Sequence, residues 1–230
     1  MVWERARSAH SHTTNKMRAN DEAGNQAHTY KAKNIKQTEG SIVQEHPLIE
    51  MYVTIEDERQ SSLIEQQFSS VNLDELVFQT LRMVSIDRQV MLTLLVTDDE
   101  GIREINQQYR QQNKATDVLS FPLLDAPIVQ APTDQLWPPL DEQESKKKKR
   151  TPAFINPPGA TTNLGDIVIS WPTIEQQAAS AGHSTTYEFL YLLAHGVLHL
   201  VGYDDQTEAG YQAMVCIQEA VLQTLARRPR

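Results

Sequence analysis

The chain reads as an α/β domain, and three observations carry that expectation. Four short runs are compact, apolar and partly β-branched, as buried strands are: residues 51–55 (MYVTI), 89–96 (QVMLTLLV), 116–122 (TDVLSFP) and 163–170 (NLGDIVIS). Segments of helical period fall between and after them. The third observation is a helix near the C-terminus that is apolar almost all round, which belongs in an interior rather than on a surface.

The elements follow in order. Residues 1–46 scatter Arg, Lys, Asn, Gln, Ser and Thr without periodicity and read as a disordered tail. Leu73, Leu76, Val77, Leu81 and Val84 recur at helical spacing within residues 71–86. Asp98 or Asp99 is placed to cap a helix running through Ile102, Ile105 and Tyr109. Pro122 ends the third strand, and the pattern then collapses over residues 123–162, which hold seven prolines, an acidic patch and the basic run Lys146 to Arg150. A stretch of that length without periodicity reads as a mobile insertion. After the fourth strand, Pro172 and Thr173 open a short helix that Gly182 closes. Thr185 and Glu188 have the spacing of a capping box, which starts the apolar helix. A final helix, residues 207–226, sets Met214, Ile217, Val221 and Leu225 on one face, leaving 227–230 as a tail. The organisation expected is one catalytic domain, 47–226, carrying the insertion.

Composition narrows the class of protein. A formal net charge of −9 argues against coating nucleic acid through bulk charge, so any such contact is local. The single cysteine, Cys216, excludes an internal disulfide framework and reads as a buried thiol, which fits a reducing compartment such as the cytoplasm. The longest apolar run, residues 189–194, is too short to span a bilayer, so no membrane role is expected.

The chemistry gathers in residues 191–205, YLLAHGVLHLVGYDD. His195 and His199 are four apart, so both imidazoles lie on one helical face, a half-site for zinc. Gly202 suits the turn after the helix, and Asp204 and Asp205 follow close enough for one to supply a third ligand. Either histidine alone would read as a hydrogen-bonded core residue. Gly196 between them implies either close approach to the backbone or tight helix packing.

Three stretches together resemble the YbeY family of metal-dependent endoribonucleases that mature ribosomal RNA. They are residues 106–122 (NQQYRQQNKATDVLSFP), 164–170 (LGDIVIS) and 195–205 (HGVLHLVGYDD). The resemblance implies an α/β (α+β) fold with a small mixed sheet of about four strands and a buried metal-site helix. It also implies one Zn2+ held by His195, His199 and the residue at position 205, where the family has histidine and this chain has Asp205. Carboxylate oxygen is an accepted zinc donor, although Asp205 is equally spaced to cap the final helix. Three protein ligands leave one position open, as in a catalytic site. Arg110 matches the family's functional arginine, and a guanidinium is shaped to grip phosphate, with Lys114 a weaker helper. Asp117, Ser120 and Asp166 lie in the same stretches and carry no assigned role.

The implied function is single-strand-specific cleavage of RNA in 16S ribosomal RNA maturation and ribosome quality control. Its partners would be ribosomal RNA and the ribosome or small-subunit ribosomal proteins. Two other readings compete. A zinc peptidase shares the two-histidine helix, but the glutamate such enzymes place after the first histidine is Gly196 here. A non-catalytic ribosome assembly factor would follow if Asp205 had weakened the site.

Overall fold

The structure is a computed structural model, and it describes residues 28–30, 48–55, 57–69, 71–138 and 161–227. Its strands are β1 (His28–Tyr30), β2 (Leu48–Thr54), β3 (Val90–Thr97), β4 (Val118–Pro122) and β5 (Thr162–Ser170). They form one mixed sheet in the order β1-β2-β3-β5-β4. β2, β3 and β5 run parallel, while β1 and β4 close the two edges antiparallel. The expected four strands are all present. β1 is an addition, lying inside the stretch expected to be a tail and pairing His28 with Val53; three residues are too few to show a period in the sequence. The rest of residues 1–46 lies outside the described residues.

Among the described residues, six α-helices pack on the sheet: α1 (Glu58–Ser69), α2 (Leu73–Met83), α3 (Asp99–Arg110), α4 (Trp171–Ala181), α5 (Thr185–Val201) and α6 (Glu208–Ala226). Strand side chains alternate between faces, and the two faces carry separate cores. On one, Leu92, Leu94, Val96, Ile167 and Ile169 meet α1, α2, α5 and α6. On the other, Leu95 and Val168 meet Ile102 and Tyr109 of α3 together with Leu119 and Phe121 of β4. Helix starts follow capping chemistry. The side chains of Asn72, Asp98, Ser170, Ser184 and Thr207 each accept from a backbone N–H in the first turn of the helix that follows. The cap of α5 therefore corrects the capping box: Ser184, not Thr185, accepts from Tyr187 N at 3.1 Å. Glu188 pairs instead with His183, Nε2 to Oε2, at 3.0 Å.

α1 was not anticipated from the sequence. It docks Phe68 against Phe189 of α5, ring centroids 4.4 Å apart, and against the edge of Trp171 at 5.5 Å. Cys216 also departs from expectation, being exposed. The buried residues of α6 are Gly210, Met214, Gln218, Val221 and Leu222, and position 216 is about 200° round the helix from 214.

The supposed insertion divides. Residues 123–138 form an ordered strap across the end of α5, with Val129 and Trp137 buried. Ile128 N donates to Val201 O and Trp137 N to Gly202 O, each at 3.0 Å, while the Trp137 indole Nε1 donates to His199 O at 2.9 Å. Prolines hide this order from the sequence, because a strap held by hydrogen bonds to another element needs no period of its own. Residues 139–160, including the basic run, lie outside the described residues.

Candidate metal centre

α5 is buried along Phe189, Leu192, Leu193, Ala194 and Val197 to Val201, and His199 lies among them at 6% exposure. Gly196 lets that helix settle on β5: a Cβ there would meet Ile167 Cδ1 at 2.9 Å and Cγ2 at 3.0 Å. Of the two explanations for this glycine, tight packing is the one observed. Gly202 ends the helix at φ +134°, with Pro127 of the strap where a Cβ would stand. The chain then doubles back so that Tyr203 O reaches His199.

The two imidazoles meet through their Nε2 atoms, 2.9 Å apart, with ring planes at 88°. Each ring's other nitrogen is committed. His199 Nδ1 lies 3.0 Å from Tyr203 O, a carbonyl that can only accept, so this nitrogen carries the proton. His195 Nδ1 lies 3.4 Å from Gln218 Oε1, and the amide is oriented by Gln218 Nε2 donating to Tyr191 O at 3.2 Å. Both neutral rings therefore aim an Nε2 lone pair at the same point. Two lone pairs at that distance repel unless a cation lies between them. Burial holds both imidazoles neutral, driving His199 down to about 3 and lowering His195, with Asp205 opposing the shift in each.

Asp205 closes the group. Its Oδ2 is 3.8 Å from His195 Nε2 and its Oδ1 3.9 Å from His199 Nε2. One ligand atom from each of the three residues lies within 4.8 Å of the others, so the group could hold a metal ion. Nitrogen and oxygen donors at about 2.0–2.2 Å from zinc are about 3.4 Å from one another in a tetrahedral site, between the separations seen here. The donor set fits the ion. Capping does not account for Asp205, because Thr207 caps α6, accepting from Gly210 N at 3.0 Å. Asp204 accepts from Gln206 N at 3.3 Å on its own loop, and burial pushes its carboxyl pKa up.

Arg110 occupies the last turn of α3, before Gln111 takes the left-handed conformation at φ 59°. Burial lowers its pKa and Asp205 opposes that, while the arginine's charge in turn depresses His199; all three share one field. Asn106 fixes the turn after it, Nδ2 donating to Lys114 O at 2.7 Å. The Lys114 side chain itself is exposed. Asp117 caps the start of β4, taking Val118 N at 2.8 Å on Oδ1 and Gln177 Nε2 at 3.0 Å on Oδ2. Ser120 and Asp166 are buried within the sheet.

Three supporting residues escaped the reading of the sequence. Gln218 had a signal: a polar side chain four residues after Met214 and three before Val221, on the buried stripe of α6. Asn106 opens the family-like stretch 106–122, where nothing local marks its role. Trp137 had no local signal.

The family model for Endoribonuclease YbeY matches residues 54–226. Among curated relatives, an Endoribonuclease YbeY from Dehalococcoides mccartyi is 36% identical over 160 residues, covering 70% of this chain and 87% of that protein. One from Moorella thermoacetica is 40% identical over 139 residues, covering 60% of this chain and 74% of its own length. One from a Synechococcus strain is 42% identical over 135 residues, covering 59% and 68%. A solution structure from Thermotoga maritima has a TM-score of 0.42 at 21% identity, covering 80% of this chain and 93% of that one, too distant to bear on the site. With a single family model spanning β3, β4, β5, the histidine helix and the final helix, the chain belongs to the YbeY endoribonuclease family.

Proposed function

We propose that this protein is a zinc-dependent endoribonuclease that cuts single-stranded RNA in 16S ribosomal RNA maturation and ribosome quality control. The observation that carries the proposal is the pair of Nε2 lone pairs aimed at one point beside Asp205, each fixed by a partner on Nδ1. His195, His199 and Asp205 hold one zinc ion. Bound there, the metal supplies Lewis acidity to water and to a phosphodiester oxygen. Gln218 and Tyr203 O keep both imidazoles in the ligating tautomer. Arg110 grips the phosphate and stabilises charge that builds on it. Asp205 is 40% exposed, which leaves the group open on the side a strand would approach. Peptidase chemistry has less support, because Gly196 stands where the proton-accepting glutamate belongs and packs on Ile167. The family relationship supports RNA as substrate, with the ribosome or small-subunit ribosomal proteins as partners and the cytoplasm as compartment. Residues 47–226 form the catalytic domain on this reading.

Purified protein is incubated with labelled single-stranded RNA and, separately, with casein, and its metal is measured by mass spectrometry. RNA cleavage with about one zinc per chain is expected, and His199→Ala and Asp205→Ala should each lose most of the metal. Arg110→Ala should keep the metal and lose about 100-fold in kcat. Casein cleavage without RNA cleavage would replace this reading with the peptidase. Little bound metal in the wild type and cleavage of neither substrate would favour the non-catalytic assembly factor.

A further inference from the structure

We propose that the rings of Tyr187 and Tyr191 form a stacking subsite for the bases of single-stranded RNA one and two nucleotides from the bond that is cut. The proposal rests on the nuclease reading and adds to it a place for the bases. Tyr187, Tyr191, His195 and His199 recur every four residues along α5. Each step is about 6 Å along the axis with a drift of about 40°, so the tyrosines lead along one broad face to the imidazole pair. Their rings are nearly parallel, at 15°, with centroids 6.5 Å apart, and His183 flanks Tyr187 at 4.9 Å. Tyr187 is 41% exposed on a helix whose other large side chains are mostly buried, and Tyr211 of α6, 49% exposed, extends the patch beside Tyr191. An aromatic row that begins in solvent and ends at the metal-binding group has the form of a platform on which successive bases stack.

Charge separates the work of the two ends. Glu188 and Glu219 lie near Tyr191, so this surface has no attraction for phosphate. The phosphate is taken at the other end, by Arg110. Stacking on a π-face is tolerant of base identity and insensitive to salt, whereas phosphate contacts weaken as salt rises.

The test uses the full-length, zinc-loaded protein and a short single-stranded RNA with one cleavage site. A matched RNA carries abasic nucleotides at the two positions on either side of the cut. Tyr187→Ala should raise KM about tenfold, within the range for losing one stacked base, with kcat and thermal stability nearly unchanged and the effect independent of salt. Tyr187→Phe should restore the wild-type KM. Abasic RNA should raise KM for the wild type by a similar factor and add little to the Tyr187→Ala defect. An unchanged KM in Tyr187→Ala overturns the subsite, as does a Tyr187→Phe protein as poor as the alanine variant, or an abasic penalty equal in both backgrounds. If the wild type cuts no RNA, the nuclease reading fails. Fluorescence anisotropy with labelled RNA then decides the subsite alone: weaker binding by Tyr187→Ala keeps it, and equal binding removes it.

Discussion

At the scale of single residues, the candidate metal site depends on what holds His195 and His199 as much as on the imidazoles themselves. Gln218 is the clearest instance: 1% exposed, it takes the proton side of His195 and is itself anchored to Tyr191 O. Replacing it by leucine keeps the bulk on the α6 stripe but removes the acceptor, freeing His195 to turn or change tautomer. Gln218→Leu should weaken zinc binding about 10–100-fold in a chelator competition while the far-ultraviolet dichroism stays that of the wild type. Unaltered affinity would mean the 3.4 Å contact orients nothing. The sequence announced His195 and His199 because spacing on a helix is a local property, whereas Asp205 was singled out from Asp204 only by the family resemblance. The partners on Nδ1 were not legible in the same way. One is a backbone carbonyl reached only because Gly202 reverses the chain, and the other stands 23 residues on.

At the scale of elements, the fold was legible wherever an element buries a periodic face. β2, β3, β4, β5 and the helices α2, α3, α4, α5 and α6 all lie where their patterns placed them, with ends shifted by a few residues. α1 was missed because only Ile64 and Phe68 of its large apolar residues are buried, while Leu63 is 65% exposed. The contact between α5 and β5 is more demanding than a pattern reveals. Adding a methyl at Gly196 presses it on Ile167, Cδ1 at 2.9 Å being closer than real contacts allow and Cγ2 and Cγ1 at 3.0 and 3.2 Å being tight. Overpacking of that kind costs about 1–3 kcal/mol, against a gain of about 1 kcal/mol in helix propensity. Gly196→Ala should therefore lower stability by about 1 kcal/mol in denaturant titrations. Ile167→Val, which removes Cδ1, should cost less in the Gly196→Ala background than in the wild type. Additive effects in the double variant would show that the helix moves away instead of pressing on the strand.

At the scale of the whole molecule, the candidate metal site is assembled from segments distant in sequence, and proton binding there should govern stability. The strap, α3, α5 and α6 converge on two imidazoles held neutral by burial. Both folded-state pKa values lie below the ordinary 6.5, with His199 down to about 3. A depressed imidazole pKa means the unfolded chain binds more protons than the folded one once pH drops below about 6.5, so unfolding is favoured as acid is added. The contribution is fully present above 6.5 and is lost progressively as pH falls towards the folded values. Each imidazole can tilt the stability curve by up to about 1.4 kcal/mol per pH unit within that window. Asp204 and Glu188, whose carboxyls are pushed up by burial, act in the opposite sense: they favour the folded state as they protonate and offset part of the loss at lower pH. Subtraction isolates the histidines. Chelator-treated wild type and a His195→Gln/His199→Gln double variant are unfolded in denaturant at pH 7.5, 6.5 and 5.5. The wild type should lose markedly more stability between 6.5 and 5.5 than between 7.5 and 6.5, and the double variant should show a flatter profile. Zinc should steepen the acid loss further, because the ion and the protons compete for the same Nε2 lone pairs. Parallel profiles for the two proteins would mean the pair takes up protons in the folded state, and the buried, neutral, converging imidazoles on which the metal centre depends would not exist in solution.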